Sequence, residues 1–226
     1  WERLKTIKLV RTDPNIDDER RNGLQLILIR EAKILFDVHH PYIGKVYDII
    51  FDPVSIVMEW IEGKSLQYII DKKEKLTGEE IVRIGIEIFD ALDYLHCHHR
   101  EQIIHRDIKP SNIIYTPARI SKLIDFGIAR DSAFETLSRG DNGTPNYLGS
   151  PDYSAPEQLT SSDASPYWDI FSLGVILYEL FTFQKPYKYG NLLTLYKDNH
   201  FPEPSPFDIP KPIYDVLFIA LSEKPT

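Results

Sequence analysis

Polar and apolar side chains alternate through Leu4-Lys5-Thr6-Ile7-Lys8-Leu9-Val10, which predicts a half-buried strand carrying Lys8 on one face. Asp13-Pro14 breaks the pattern. From Asp17 to Phe36, residues Leu24, Ile27, Leu28, Glu31, Ile34 and Leu35 recur at helical steps, predicting a helix with one buried face that includes Glu31. His40-Pro41 ends it. Two apolar runs, Lys45 to Phe51 and Val54 to Ile61, flank Asp52-Pro53 and predict a pair of strands. After Gly63, the spacing of Ile81, Ile84, Ile88, Leu92 and Leu95 predicts a second helix. Thr77 and Glu80 form its capping box, and the helix is expected to run into His105. Short strands follow at Ile113-Ile114 and Lys122-Leu123-Ile124, and a Gly/Ser/Pro-rich stretch from Asp131 to Ser154 predicts an exposed loop. Beyond Ala155 the pattern is mostly helical. Strands with one helix come first and helices later, so the expected architecture is α+β in two lobes with a hinge near Glu59 to Gly63.

Composition narrows this picture only slightly. The 226 residues, 42% of them hydrophobic, suffice for one large domain or two small lobes around a core. A net charge of −8 without a long Lys/Arg block argues against nucleic acid as a partner. The most apolar stretch, Ile170 to Phe183, is interrupted by Ser172, Gly174, Tyr178 and Glu179 and falls short of the roughly 20 residues of a membrane span. It predicts a buried helix. The single Cys97 excludes an intrachain disulfide and fits a reducing compartment, so a cytoplasmic location is expected. His96-Cys97-His98-His99 offers ligand types that zinc accepts, yet neighbours on one helix point apart, and an exposed helix end is the expectation. Pro202, Pro204, Pro206, Pro210 and Pro212 mark a connector between helices.

The chemistry concentrates in His105-Arg106-Asp107-Ile108-Lys109-Pro110-Ser111-Asn112 and, downstream, Asp125-Phe126-Gly127. Phosphoryl transfer needs an in-line hydroxyl and neutralisation of phosphate charge, and these residues supply a carboxylate, a cation and two oxygen donors for a hard metal ion. Thr6-Ile7-Lys8, Glu31, Val57-Met58-Glu59-Trp60, Ala155-Pro156-Glu157 and Asp169 in Trp168-Asp169-Ile170-Phe171-Ser172-Leu173-Gly174 accompany them in order.

On these motifs the chain resembles the eukaryotic-type (Hanks-type) protein serine/threonine kinases over almost its full length. The resemblance implies a two-lobed kinase-like fold, with a small β-rich lobe holding one helix (1–59), a hinge (60–64) and a larger, mainly helical lobe (65–226). It implies ATP and Mg2+ or Mn2+ as cofactors and protein Ser/Thr hydroxyls as acceptors. Asp107 would orient the acceptor hydroxyl and take its proton, while Asn112 and Asp125 would hold the metal. Lys109 would hold the γ-phosphate and favours Ser/Thr over Tyr acceptors. Lys8 would reach the α- and β-phosphates, fixed by an ion pair from Glu31. Backbone groups of Glu59 and Ile61 would meet adenine, with Met58 as gatekeeper behind it.

The segment from Asp125 to Glu157 resembles an activation loop, with Ser150 in the docking stretch before Ser154-Ala155-Pro156-Glu157. Arg106 beside Asp107 is a cation that could pair with phosphate, so Thr136, Ser138 and Thr144 are candidate modification sites. His105 and Phe126, with Leu35 and Val46, are expected as packing residues between the lobes. No glycine-rich loop precedes Lys8 and no arginine follows Pro225, so an excerpt of a longer chain is expected. The alternative from another class is a pseudokinase, a kinase fold acting as a binding or regulatory module.

Overall fold

A computed structural model describes residues 4–9, 18–51, 54–100, 102–125, 152–159, 164–186 and 209–221. Its first part is a three-stranded antiparallel sheet of β1 (Lys5–Leu9), β2 (Val46–Phe51) and β3 (Val54–Glu59), in the order β1-β3-β2. One helix, α1 (Asp18–Phe36), packs on β2 and β3, burying Ala32 and Leu35. The expected alternation in β1 is present, but its apolar member Ile7 is 56% exposed while Thr6 and Lys8 are half-buried. Lys8 turns inward because the inner end of this strand meets a carboxylate rather than hydrocarbon.

The chain leaves β3 at Glu59 and re-enters a strand at β4 (Lys64–Ser65), which joins β5 (Ile113–Tyr115) and β6 (Ser121–Leu123) in a second antiparallel sheet. Gly63 lies at this crossing with φ of 157°, and a Cβ there would stand 2.5 Å from the Tyr115 carbonyl oxygen. Only glycine tolerates so close a backbone. A short helix absent from the sequence reading, α2 (Leu66–Asp71), follows, its Ser65 hydroxyl accepting from Tyr68 N–H at 3.1 Å.

Helix α3 (Gly78–Asp93) begins as its sequence predicts. Glu80 N–H donates to Thr77 Oγ1 at 3.2 Å and Thr77 N–H to Glu80 Oε2 at 2.8 Å, the reciprocal capping box. Its end differs from expectation. The helix does not run into His105 but widens into a π-helical turn, Tyr94–His98, and His99 is extended. The chain then turns back, with Ile103 N–H donating to Leu95 O at 3.0 Å. Wide turns of this kind rotate side chains off the helical register. Accordingly His96 is buried rather than exposed, while Cys97 and His98 are exposed.

The remaining core is α4 (Pro166–Thr182) and α5 (Lys211–Ala220). Ser165 caps α4, Pro166 occupies its first position, and nearly every face of the helix is buried, as its apolar sequence predicts. Gly85 lets α3 close on Leu177 of α4. Pro210 and Pro212 open α5, where a missing N–H costs no helical bond, rather than lying in an extended connector. Pro202, Pro204 and Pro206 lie outside the described residues.

Gly63→Ala should lower unfolding stability by about 2 kcal/mol, because the new methyl meets a carbonyl that cannot move aside. Chemical denaturation checks this, and an unchanged midpoint would show that the crossing is looser than described.

Candidate active site

The site is built around a buried acid. Asp169, 1% exposed in the first turn of α4, accepts from His105 N–H through Oδ2 at 2.8 Å and from Arg106 N–H through Oδ1 at 2.8 Å. His96 Nε2 also lies 2.8 Å from Oδ2. Two backbone donors on one carboxylate bend the chain at this point, and Arg106 takes the left-handed conformation, φ 63°. Such a backbone costs about 1 kcal/mol or more and persists where surroundings over-determine it. Gln158 Nε2 donates to Arg106 O at 3.0 Å and secures the bend from the other side.

That bend aims Asp107. Its carboxylate pairs with Lys109 Nζ at 2.8 Å, and both side chains are largely covered, 12% and 24% exposed. Pro110–Asn112 forms a 3-10 turn that folds Asn112 back into the loop, where it is 5% exposed. The Asn112 amide nitrogen donates to Asp107 O at 2.9 Å, Asp107 Oδ2 at 3.3 Å and Asp125 O at 3.2 Å. With its nitrogen so engaged, the side chain presents Oδ1 as an oxygen donor. Asp125, two residues beyond β6, takes a left-handed conformation, φ 55°, and its Oδ1 meets Lys8 Nζ at 3.0 Å. Oxygen donors from Asn112 and Asp125 fit a hard divalent cation.

The structure therefore brings Lys8, Asp107, Lys109, Asn112 and Asp125 into one chain of contacts. Met58 is buried in the strand ahead of the crossing, opposite Thr6 and Val46. Glu59 carries more than its expected backbone role, since its carboxylate holds Lys122 Nζ at 2.6 and 2.8 Å. Ile61 is half-buried, near Gly44. Leu35 and Val46 are buried packing residues, as expected, and His105 is fully buried. The side chain of Glu31, and all of Phe126, Gly127, Thr136, Ser138, Thr144 and Ser150, lie outside the described residues. A cavity of about 330 Å³ lined by His39, His40, Lys45, Glu59 and Lys122 includes none of Lys8, Asp107, Lys109, Asn112 and Asp125.

Residues 3–212 match the protein kinase domain family. The chain belongs to that family. Among curated proteins it is 35% identical over 188 residues to "Serine/threonine-protein kinase PrkC" of Bacillus subtilis, covering 82% of this chain and 27% of that protein. It is 32% identical over 230 residues to "Probable serine/threonine-protein kinase PknB" of Lactococcus lactis, covering 98% and 35%. A "Probable serine/threonine-protein kinase" of Clostridium perfringens is 34% identical over 184 residues, covering 80% and 26%. The chain thus spans about a quarter to a third of the length of these relatives. Members of the protein kinase family in general use ATP and a divalent metal. Among the described residues, no helix is long and apolar enough to cross a membrane.

The organiser of this kinase site, Asp169, appeared in the sequence only as part of a motif, and His96 only as part of a histidine run. The available signal was an acid inside an otherwise apolar helix start, Trp168-Asp169-Ile170-Phe171, since an isolated buried carboxylate demands donors.

His105 gives the kinase domain a pH response. Burial pushes its pKa below the ordinary 6.5, opposed by the charges of Asp169, Asp107 and Asp125 and by the Ile124 backbone. A neutral ring also fits Nδ1, which accepts from Asp107 N–H at 3.3 Å. The depressed value means that its stabilisation is full above the ordinary value and is lost as pH falls below 6.5 toward the folded-state pKa. As pH falls below 6.5, melting temperature should therefore fall more steeply for the wild type than for His105→Phe. Parallel slopes would assign the acid response elsewhere.

Proposed function

We propose that this chain is the catalytic domain of an ATP- and Mg2+-dependent protein serine/threonine kinase. The observation that carries the reading is the Asp107 carboxylate held between Lys109 and Asn112, with Asn112 also reaching Asp125. In this reading Asp107 orients a substrate Ser or Thr hydroxyl and takes its proton. The hydroxyl oxygen bonds to the γ-phosphorus, the bond from that phosphorus to the β,γ-bridging oxygen breaks, and ADP leaves. Lys109 steadies the γ-phosphoryl group, and its place favours Ser/Thr acceptors. Asn112 Oδ1 and the Asp125 carboxylate hold Mg2+, or Mn2+ in its place, which neutralises phosphate charge when bound.

Lys8 serves the α- and β-phosphates, and the 3.0 Å contact with Asp125 supports its position beside the metal donors. Glu31 on α1 would fix Lys8. Backbone groups of Glu59 and Ile61 would receive adenine in front of Met58, which makes 60–64 the hinge between a smaller lobe (1–59) and a larger one (65–226). Phosphorylation at Thr136, Ser138 or Thr144 would regulate the enzyme through Arg106, and Ser150 would sit where substrate docks. Lone Cys97 and the acidic balance suit a cytoplasmic domain.

Asp107→Asn keeps the shape and removes the proton acceptor. In the full-length protein, transfer of labelled phosphate to generic protein substrates should fall about 1000-fold, with ATP affinity kept within a few fold. Equal labelling by both proteins would refute the assignment of Asp107. ATP binding without transfer by the wild type would favour the pseudokinase instead.

A further inference from the structure

A second cluster of charge lies outside the phosphate-handling groups, where the chain leaves α4. Phe183 caps that helix in the left-handed conformation, φ 54°, with its N–H donating to Glu179 O at 2.7 Å. Thr182 Oγ1 then bonds Gln184 on both sides, donating to its carbonyl at 2.9 Å and accepting its N–H at 3.1 Å. This tight reversal delivers Lys185 to the stretch that precedes Ala155. Lys185 Nζ pairs with the Asp152 carboxylate and stands 4.7 Å from the centre of the Tyr153 ring. The Tyr153 hydroxyl donates to Glu179 Oε2 at 2.7 Å. Tyr153 and Glu179 are buried, 6% and 7% exposed.

An exposed ion pair alone would hold little, because water and salt screen it and two long side chains must be ordered. Here the ammonium has two anchors at once, a carboxylate and a ring face, and the ring is itself tied down through its hydroxyl. Burial pushes the Glu179 carboxyl up, while the Tyr153 hydrogen bond and the Lys185 charge oppose that shift. Lys185 therefore does two things for one segment. It clamps Asp152 and Tyr153 laterally and makes the buried acid beneath them less costly to ionise.

We propose that Lys185 is a positioning residue for the protein substrate, clamping Asp152-Tyr153 so that the segment running into Ala155-Pro156-Glu157 presents a fixed docking surface. The proposal rests on the kinase reading of that segment. It places substrate affinity, and not nucleotide handling, under control of the turn after α4. Among the described residues, the groups that Lys185 touches lie outside the Lys8, Asp107, Lys109, Asn112 and Asp125 set.

The test measures KM for protein and for ATP separately, in the full-length enzyme, for wild type, Lys185→Met and Lys185→Arg. Casein serves as an acidic substrate and histone as a basic one. Lys185→Met should raise KM for both proteins about fivefold while KM for ATP stays within twofold, and Lys185→Arg should restore most of the loss. Unchanged protein KM values in an active enzyme would overturn the positioning role. So would a parallel loss of ATP affinity and melting temperature, which marks a merely structural lysine. Opposite shifts for casein and histone would also overturn it, since they mean that Lys185 acts through net charge alone. A wild type that transfers no phosphate at all would bring down the kinase reading itself, and this proposal with it.

Discussion

The buried carboxylate of Asp169 is the constraint on which the loop from His105 to Asn112 depends. Burying an ionised acid is costly unless donors surround it, and here two backbone N–H groups and a histidine ring supply them. Each donor comes from a segment that would otherwise be free to choose its own path. The His96 contact sets how α3 ends, and the His105 and Arg106 contacts set the bend before Asp107. The left-handed Arg106 is a consequence of this, because both N–H groups reach one carboxylate only if the chain turns sharply between them. An apolar residue at position 169 would leave those N–H groups without their acceptor, which costs about 1–3 kcal/mol for each group left unsatisfied.

A second set of bonds extends that order to Asn112 and Asp125. Leu123 N–H donates to Tyr42 O at 2.8 Å and Gly44 N–H to Leu123 O at 2.9 Å, so the segment after α1 is laced to β6. Ile124 N–H donates to Asn112 O at 2.8 Å, which binds the residue before Asp125 to the loop that carries Asn112. Glu59 adds an ion pair from the end of β3 to Lys122 on β6. Asp125 is therefore held from both sheets. Lys8 reaches it because β1 pairs with β3, which places Lys8 opposite Ile56, three residues before Glu59.

Much of this was legible where the governing interaction is local. Thr77 and Glu80 are three residues apart and fix the start of α3 by themselves, and the apolar density of α4 permits only burial. The end of α3 was not legible, because nothing in Tyr94-Leu95-His96-Cys97-His98 breaks a helix. The turn opens there because His96 must face a carboxylate 73 residues away. The inward face of β1 was misleading for the same reason, since Ile7 is the apolar residue yet Lys8 has the partner inside. That Asp107, Lys109, Asn112 and Asp125 come together could be read from their motifs, but the clamp formed by Lys185 could not. It depends on a left-handed Phe183, a residue that propensity would not choose for that conformation.

The charges that the site brings together are balanced within it. Lys8 and Lys109 carry two positive charges, Asp107 and Asp125 two negative ones, and the described pairings match them one to one. The Lys8 and Asp125 side chains remain 31% and 46% exposed, so their pairing is worth at most about 1 kcal/mol and yields readily to stronger partners. A phosphate oxygen would compete for Lys8 and a divalent cation for Asp125. Each would find a partner already placed and only weakly committed. Asp107 is the more deeply covered acid, at 12% exposure, and Lys109 and Asn112 both hold its Oδ2. That difference suits the two acids to different work. An acid that exchanges ligands needs access, whereas an acid that must meet a hydroxyl at a fixed angle needs restraint.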